Sequence, residues 1–127
     1  MQAGLNSSHV ATLAARACGT VFGGVSLVDP TGTRLDAAHG FDLLDPPPVA
    51  TLCAQVLREG RVVVAQDLHL GEVGTHSSRN TDIRLFVGAP IVTWRGEPLG
   101  VIWAADNRPH LRSDPQVGEL LMCVAEQ

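Results

Sequence analysis

Ile83-Arg-Leu-Phe-Val-Gly-Ala-Pro-Ile-Val-Thr93, then Trp94-Arg-Gly-Glu97, then Pro98-Leu-Gly-Val-Ile-Trp-Ala-Ala-Asp106 decides the fold. It reads as two strands joined by a tight turn and closed by an acid and Asn107-Arg-Pro109. Both runs are apolar at odd and even positions alike, so both faces of their sheet should be covered. Taking Arg95-Gly96 as a two-residue hairpin loop fixes a register, with Pro90 opposite Val101 and Gly88 opposite Trp103. In that register Gly88 would leave space for the indole. Pro90 has no N–H to give a ladder, so it belongs at a non-bonded, bulged or edge position.

Working outward, the rest of the chain supplies the covers and the other strands. Val10, Leu13, Ala14 and Ala17 recur at helical spacing, with Ser7 or Ser8 to cap the start and Gly19 to end it. Thr20 to Val28 is β-rich, Asp29-Pro-Thr-Gly32 is a turn, and Arg34 to His39 is the returning strand of a hairpin. Gly40 to Pro48 is neither helix nor central strand, because Pro46, Pro47 and Pro48 remove three donors. Val49, Leu52, Cys53, Val56 and Leu57 form the apolar face of a second helix that stops at Gly60. Arg61 to Gln66 is a short strand ending at Asp67. Leu68 to Asp82 has no period and reads as a long loop, a length usually reserved for function. Ser113-Asp-Pro-Gln116 opens a last helix with Val117, Leu120, Leu121 and Val124 on one face.

The chain of 127 residues suits a single domain spanning 1–127, and its net charge of −4 offers no basic run for nucleic acid or an anionic membrane surface. No apolar run approaches the roughly 20 residues that span a bilayer. The N-terminus lacks the basic-then-apolar pattern of a signal peptide. Cys18, Cys53 and Cys123 are odd in number and widely spaced, which suggests reduced thiols and a cytoplasmic protein.

Four stretches in order carry a family resemblance: Leu52-Cys-Ala-Gln-Val-Leu-Arg-Glu-Gly60, Val62-Val-Val-Ala-Gln-Asp67, Arg84-Leu-Phe-Val-Gly-Ala-Pro-Ile91 and Gly96-Glu-Pro-Leu-Gly-Val-Ile102. Together they resemble a GAF domain, over nearly the whole chain from Val10 to Glu126. The resemblance implies an α+β fold with a central antiparallel sheet of five to six strands. The terminal helices would lie on one face, and the second helix and long loop would enclose a pocket on the other. It also implies a sensory or regulatory module that binds a small molecule and dimerises through its terminal helices.

Against that frame the candidate ligand-binding residues are Cys53, Asp67, His76, Arg84, Phe86, Trp103 and Asp106. Cys53 lies near the start of its helix, where a thiol pKa can be lowered. By resemblance to the free-methionine-(R)-sulfoxide reductases it could be a redox thiol, although free cysteine is more often inert core. Arg84 and Asp106 meet in the hairpin register, either as an ion pair at the sheet rim or with Arg84 facing a phosphate or carboxylate. Arg79 could play the same part. Phe86 and Trp103, with Val25, Leu27 and Ile102, line the pocket or fill it. His39, His69 and His76 with Asp67 match no metal or haem spacing, and no cysteine is placed for a bilin. No catalytic triad, phosphate-binding glycine motif or paired carboxylates is present, and the residues name no cofactor.

Three readings follow. The first is a non-enzymatic module that binds an unidentified small molecule and signals by ordering the loop and biasing the terminal helices. The second is a thiol enzyme of the sulfoxide-reductase kind using Cys53. The third is a ligand-free dimerisation module with a filled pocket, joined through Val10–Ala17 and Val117–Val124.

Overall fold

The computed structural model describes residues 6–42, 49–68 and 83–109. Within them the order is α1 (Ser7–Cys18), β1 (Phe22–Asp29), β2 (Gly32–His39), α2 (Ala50–Glu59), β3 (Val63–Gln66), β4 (Leu85–Val92) and β5 (Pro98–Asp106). The five strands form one antiparallel sheet in the order β2-β1-β5-β4-β3. Two hairpins thus join side by side through β1 and β5, and β3 adds to the outside of β4. The loop beyond Leu68 and the helix expected from Ser113 lie outside the described residues.

The helices cover opposite faces. The α1 side buries Ala11, Ala14, Cys18, Val25, Ala37, Val87, Ala89, Ile102 and Ala104. The α2 side buries Phe22, Leu52, Cys53, Val56, Ile83, Phe86, Val101, Trp103 and Ala105. Successive residues of β4 and β5 go to different clusters, the period-2 alternation of a strand. Doubly apolar strands therefore do mark a doubly covered sheet.

Helix α1 differs from its expected form in two ways. Its cap is Asn6, whose side chain accepts from the His9 N–H at 2.9 Å, not Ser7 or Ser8. Its inward face is Ala11, Ala14, Ala15 and Cys18, which leaves Leu13 41% exposed. The cause is closeness. A Cβ on Gly23 would stand 2.2 Å from the Ala11 carbonyl oxygen, so only small side chains fit between helix and strand. Packing of alanine against glycine turns Leu13 outward, while Val10 packs at the edge of the same cluster.

The β4–β5 register is the expected one, with Gly88 opposite Trp103 and Pro90 opposite Val101. It arises differently. The Gly96 N–H donates to Thr93 O (2.8 Å) and the Thr93 N–H to Glu97 O (2.9 Å), with Gly96 at φ 83°. That is a three-residue loop, Trp94 to Gly96, whose last residue takes the left-handed conformation. A second irregularity follows, because Ile91 faces Gly100 while Val92 faces Pro98. Leu99 is the extra residue, and the two shifts cancel.

Hairpin β1–β2 turns through Pro30-Thr31, with Asp29 Oδ1 accepting from the Thr31 N–H and hydroxyl, both at 2.9 Å. Its register slips between Val25 and Ser26, where Asp36 is the extra residue. The slip lets Leu35 pack on the α2 side and Ala37 on the α1 side, although both are odd-numbered.

Candidate ligand site over the sheet

The α2 side of the sheet is organised around Trp103. This side chain is fully buried in the middle strand, β5. Phe41, just past β2, stacks on it with centroids 5.9 Å apart and planes 24° apart. Phe86 on β4 stacks at 6.3 Å and 25°. Phe22 meets Phe41 edge-on at 5.8 Å. Offset and edge-on pairs of this kind add to simple burial. Gly24, directly opposite Trp103 on β1, makes the room: a Cβ there would lie 2.3 Å from the indole Cζ2. The expectation that Gly88 serves the indole is corrected. A Cβ on Gly88 would instead meet the Phe86 ring at 2.7 Å and Val56 Cγ2 at 2.9 Å.

The indole N–H does not go unsatisfied. It donates to Ser26 Oγ at 3.1 Å, and Ser26 is itself buried. Ser26 also lies within hydrogen-bonding reach of the Cys53 thiol. A short polar chain, Trp103–Ser26–Cys53, therefore crosses the apolar layer between sheet and helix. Burial pushes the Cys53 thiol up to about 12, against a smaller opposing effect of the Ser26 hydrogen bond. The place near the helix start does not prevail over that burial. Cys53 sits one turn inside α2, beneath the helix and away from solvent. Cys18, under α1, is raised to about 12 by burial as well.

One end of the sheet collects the polar candidates, because β3 and β5 finish there and β4 begins there. Arg84 donates from Nε to the Leu68 carbonyl at 3.0 Å and forms an ion pair with Asp67. Asp67 holds a left-handed backbone at φ 58°, uncommon outside glycine but more accessible to aspartate than to most residues, and its N–H donates to Pro109 O at 2.9 Å. The expected Arg84–Asp106 ion pair is not formed. The two meet only through the backbone, Arg84 N–H to Asp106 O at 2.9 Å. Asp106 points to the α1 end of the molecule, where its Oδ2 accepts from the Val21 N–H (3.0 Å) and the Arg108 guanidinium (2.8 Å) and its Oδ1 from the Arg108 N–H (3.1 Å). Arg108 also donates to Gly19 O at 2.9 Å. Burial alone would raise the Asp106 carboxyl, but the Arg108 and Val21 hydrogen bonds and the Arg108 charge hold it below the ordinary carboxylate range.

Of the sequence candidates, Cys53, Phe86 and Trp103 come together under α2, Asp67 and Arg84 share the rim, and Asp106 belongs to a separate clip. Val25, Leu27 and Ile102 turn to the α1 side and line nothing beneath α2. His76, His69 and Arg79 lie outside the described residues. Ser26 and Phe41 were missed. Ser26 carried a signal: a lone hydroxyl within the apolar strand from Phe22 to Val28, at a position of the same parity as Gly24. Phe41 carried none, since its contact depends on where the chain goes after β2. Among the described residues no group of three or more His, Cys, Asp or Glu converges to hold a metal ion. No described helix is long and apolar enough to cross a membrane.

The architecture is shared with solved structures. The GAF domain of a phosphoenolpyruvate-protein phosphotransferase from Coxiella burnetii aligns with a TM-score of 0.65 at 17% identity, over 93% of this chain and 77% of that one. Free methionine-R-sulfoxide reductase from Neisseria meningitidis aligns at 0.66 and 20% identity, over 93% and 70%. The blue-light absorbing form of the PixJ GAF domain from Thermosynechococcus elongatus aligns at 0.66 and 12% identity, over 94% and 77%. At such identities these likenesses speak for the fold alone. No curated protein matches the sequence. The sequence description of the GAF domain matches residues 7–127, and the chain belongs to the GAF domain family.

Proposed function

We propose that this chain is a non-catalytic sensory or regulatory module that takes a small anionic molecule at the rim on the α2 side of the sheet. The observation that carries the reading is the placement of Arg84. Its guanidinium is oriented by Leu68 O and Asp67 yet stays 35% exposed at the sheet end. An arginine fixed on one edge and open on another suits a carboxylate or phosphate, whose planar or forked oxygens match its remaining donors. Trp103 and its stacked partners fill the deeper space, which favours a rim site. Cys53 lacks what a thiol nucleophile needs, exposure and a lowered pKa, which supports a non-catalytic role.

The test is native mass spectrometry and thermal shift with the wild-type chain against small carboxylates and phosphate esters. A retained anion whose affinity falls at least about tenfold in Arg84→Ala is the expected result. Retention of nothing across the panel, with a stable dimer by light scattering, would replace this reading with that of a ligand-free dimerisation module. Such a dimer would use the outer face of α1, where Leu13 is exposed. Turnover of free methionine-(R)-sulfoxide that disappears in Cys53→Ser would overturn the non-catalytic assignment.

A further inference from the structure

The space beneath α2 is furnished for a ring. Any buried tryptophan needs room for its ring and an acceptor for its N–H. At Trp103 the neighbours supply both: a glycine opposite it that a Cβ would close, two phenyl rings stacked on it, and a buried hydroxyl accepting its only polar hydrogen. Those features recognise a fused planar ring with one N–H donor, and they belong to Gly24, Phe41, Phe86 and Ser26, not to the indole itself. Ser26 is 4% exposed. Without an N–H partner its hydroxyl would lose a hydrogen bond in an apolar layer, a condition that discriminates between ligands more sharply than shape does.

We propose that Trp103 is the specificity-determining plug of this domain: its side chain stands in the place of a fused-ring N–H heterocycle, so that the wild-type chain turns such molecules away and a chain lacking the indole accepts them. This rests on the reading of the α2 side as the ligand side. It assigns the deep part of that side a chemical class, nitrogen heterocycles of the indole and benzimidazole kind, distinct from the anion proposed for the rim.

The experiment uses indole and its carbon isostere indene as probes. In Trp103→Gly, indole is expected to raise the melting temperature and to be retained in native mass spectra. It should bind about fivefold more tightly than indene, the factor expected of one neutral hydrogen bond. In Trp103→Gly with Ser26→Ala that preference should vanish while indene still binds. The wild-type chain should retain neither probe. In Trp94→Phe, where Trp103 is the sole indole, its emission should stay that of a buried ring when benzimidazole is added. If Trp103→Gly does not fold alone, recovery of the folded circular-dichroism spectrum with indole, and less with indene, is the expected result. A folded variant that binds neither probe, equal affinity for both, no recovery with either, or capture of benzimidazole by the Trp94→Phe chain with a changed Trp103 emission overturns the proposal. The rim reading fails separately, through the anion panel on the wild-type chain, which contains no ring.

Discussion

On the α1 side, the layer between helix and sheet is rich in alanine, with Ala11, Ala14, Ala15, Ala37, Ala89 and Ala104 beside Cys18, Val25, Val87 and Ile102, and among the described residues it holds no aromatic ring. On the α2 side it is built from Phe22, Leu52, Ile83, Phe86 and Trp103. The first layer lets backbone approach backbone, as the 2.2 Å from a Cβ on Gly23 to the Ala11 carbonyl shows. Nothing can be admitted there without moving the helix. The second holds its helix off with rings and carries polar atoms, Ser26 and the Cys53 thiol, through the gap. Removing one ring from it leaves a volume with a chemistry. The α1 face anchors the fold, while the α2 face has the depth and polarity from which a binding site can be made.

The largest expected effect compares the two buried thiols. Cys18 lies under α1 and Cys53 under α2, and burial raises both to about 12. At pH 8 each should be alkylated at least about a thousandfold more slowly than in the unfolded chain, because labelling requires opening. Helix α1 has its Asn6 side-chain cap, whereas α2 starts at Val49 with no side-chain cap hydrogen bond. Cys53 should therefore label before Cys18. Iodoacetamide labelling followed by peptide mass spectrometry, in a Cys123→Ser background, measures the order. Faster labelling of Cys18 would reverse the contrast between the faces.

Trp103→Ala should cost about 3–5 kcal/mol in urea unfolding, the range for a large buried aromatic. A value below about 1 kcal/mol would mean that the α2 side collapses around the vacancy. Ala14→Leu tests the other face by addition and should cost about 1–3 kcal/mol through overpacking. The same change at Ala54, exposed on α2, should be close to neutral. Equal effects at the two alanines would remove the argument from closeness.

The Asp106 clip predicts a pH dependence. Its folded carboxyl titrates below the ordinary carboxylate range, so the unfolded chain takes up the proton first. The clip's contribution is then fully present above the unfolded value, near 4, and is lost as the pH falls toward the folded one. Asp106→Asn should lower stability at pH 7 by about 2 kcal/mol, as expected for charge-assisted hydrogen bonds. It should also flatten the acid limb of the stability profile followed by circular dichroism. An unchanged acid limb would show that the clip contributes nothing. The smallest effect belongs to Leu13→Gln, within about 0.5 kcal/mol of wild type because the side chain faces outward.

Much of this was legible in order and in pattern. Apolar residues on both faces of β4 and β5 gave away the double cover, and the four motif stretches gave the family. The hairpin register was right because two departures from the assumed loop, an added turn residue and the extra Leu99, offset each other. What could not be read was non-local. Whether Gly24 or Gly88 shelters the indole depends on β1 lying beside β5, a pairing between strands that are distant in sequence. The inward face of α1 depends on Gly23 in the next element. Arg84 chose Asp67 over Asp106 because β3 ends beside β4 with Asp67 turned into a left-handed conformation, which no local pattern announces. Strand ends alone suggest an Arg84–Asp106 pair, whereas a buried carboxylate takes the nearest donors that can satisfy every oxygen, here Val21 and Arg108.

Pro90 has a consequence for how the molecule avoids its own kind. Strand β3 pairs with β4 only from Leu85 to Gly88, so the outer margin of β4 from Ala89 to Val92 has no strand beside it among the described residues. An open margin of this sort is a template on which a stranger's extended chain can grow, the first step toward aggregates. A proline in that stretch breaks the row of donors, because one amide hydrogen is missing where a continuous ladder would need it. The ring that loop geometry merely had to accommodate thus serves as a guard along this stretch, where another copy would otherwise find an unbroken row of donors.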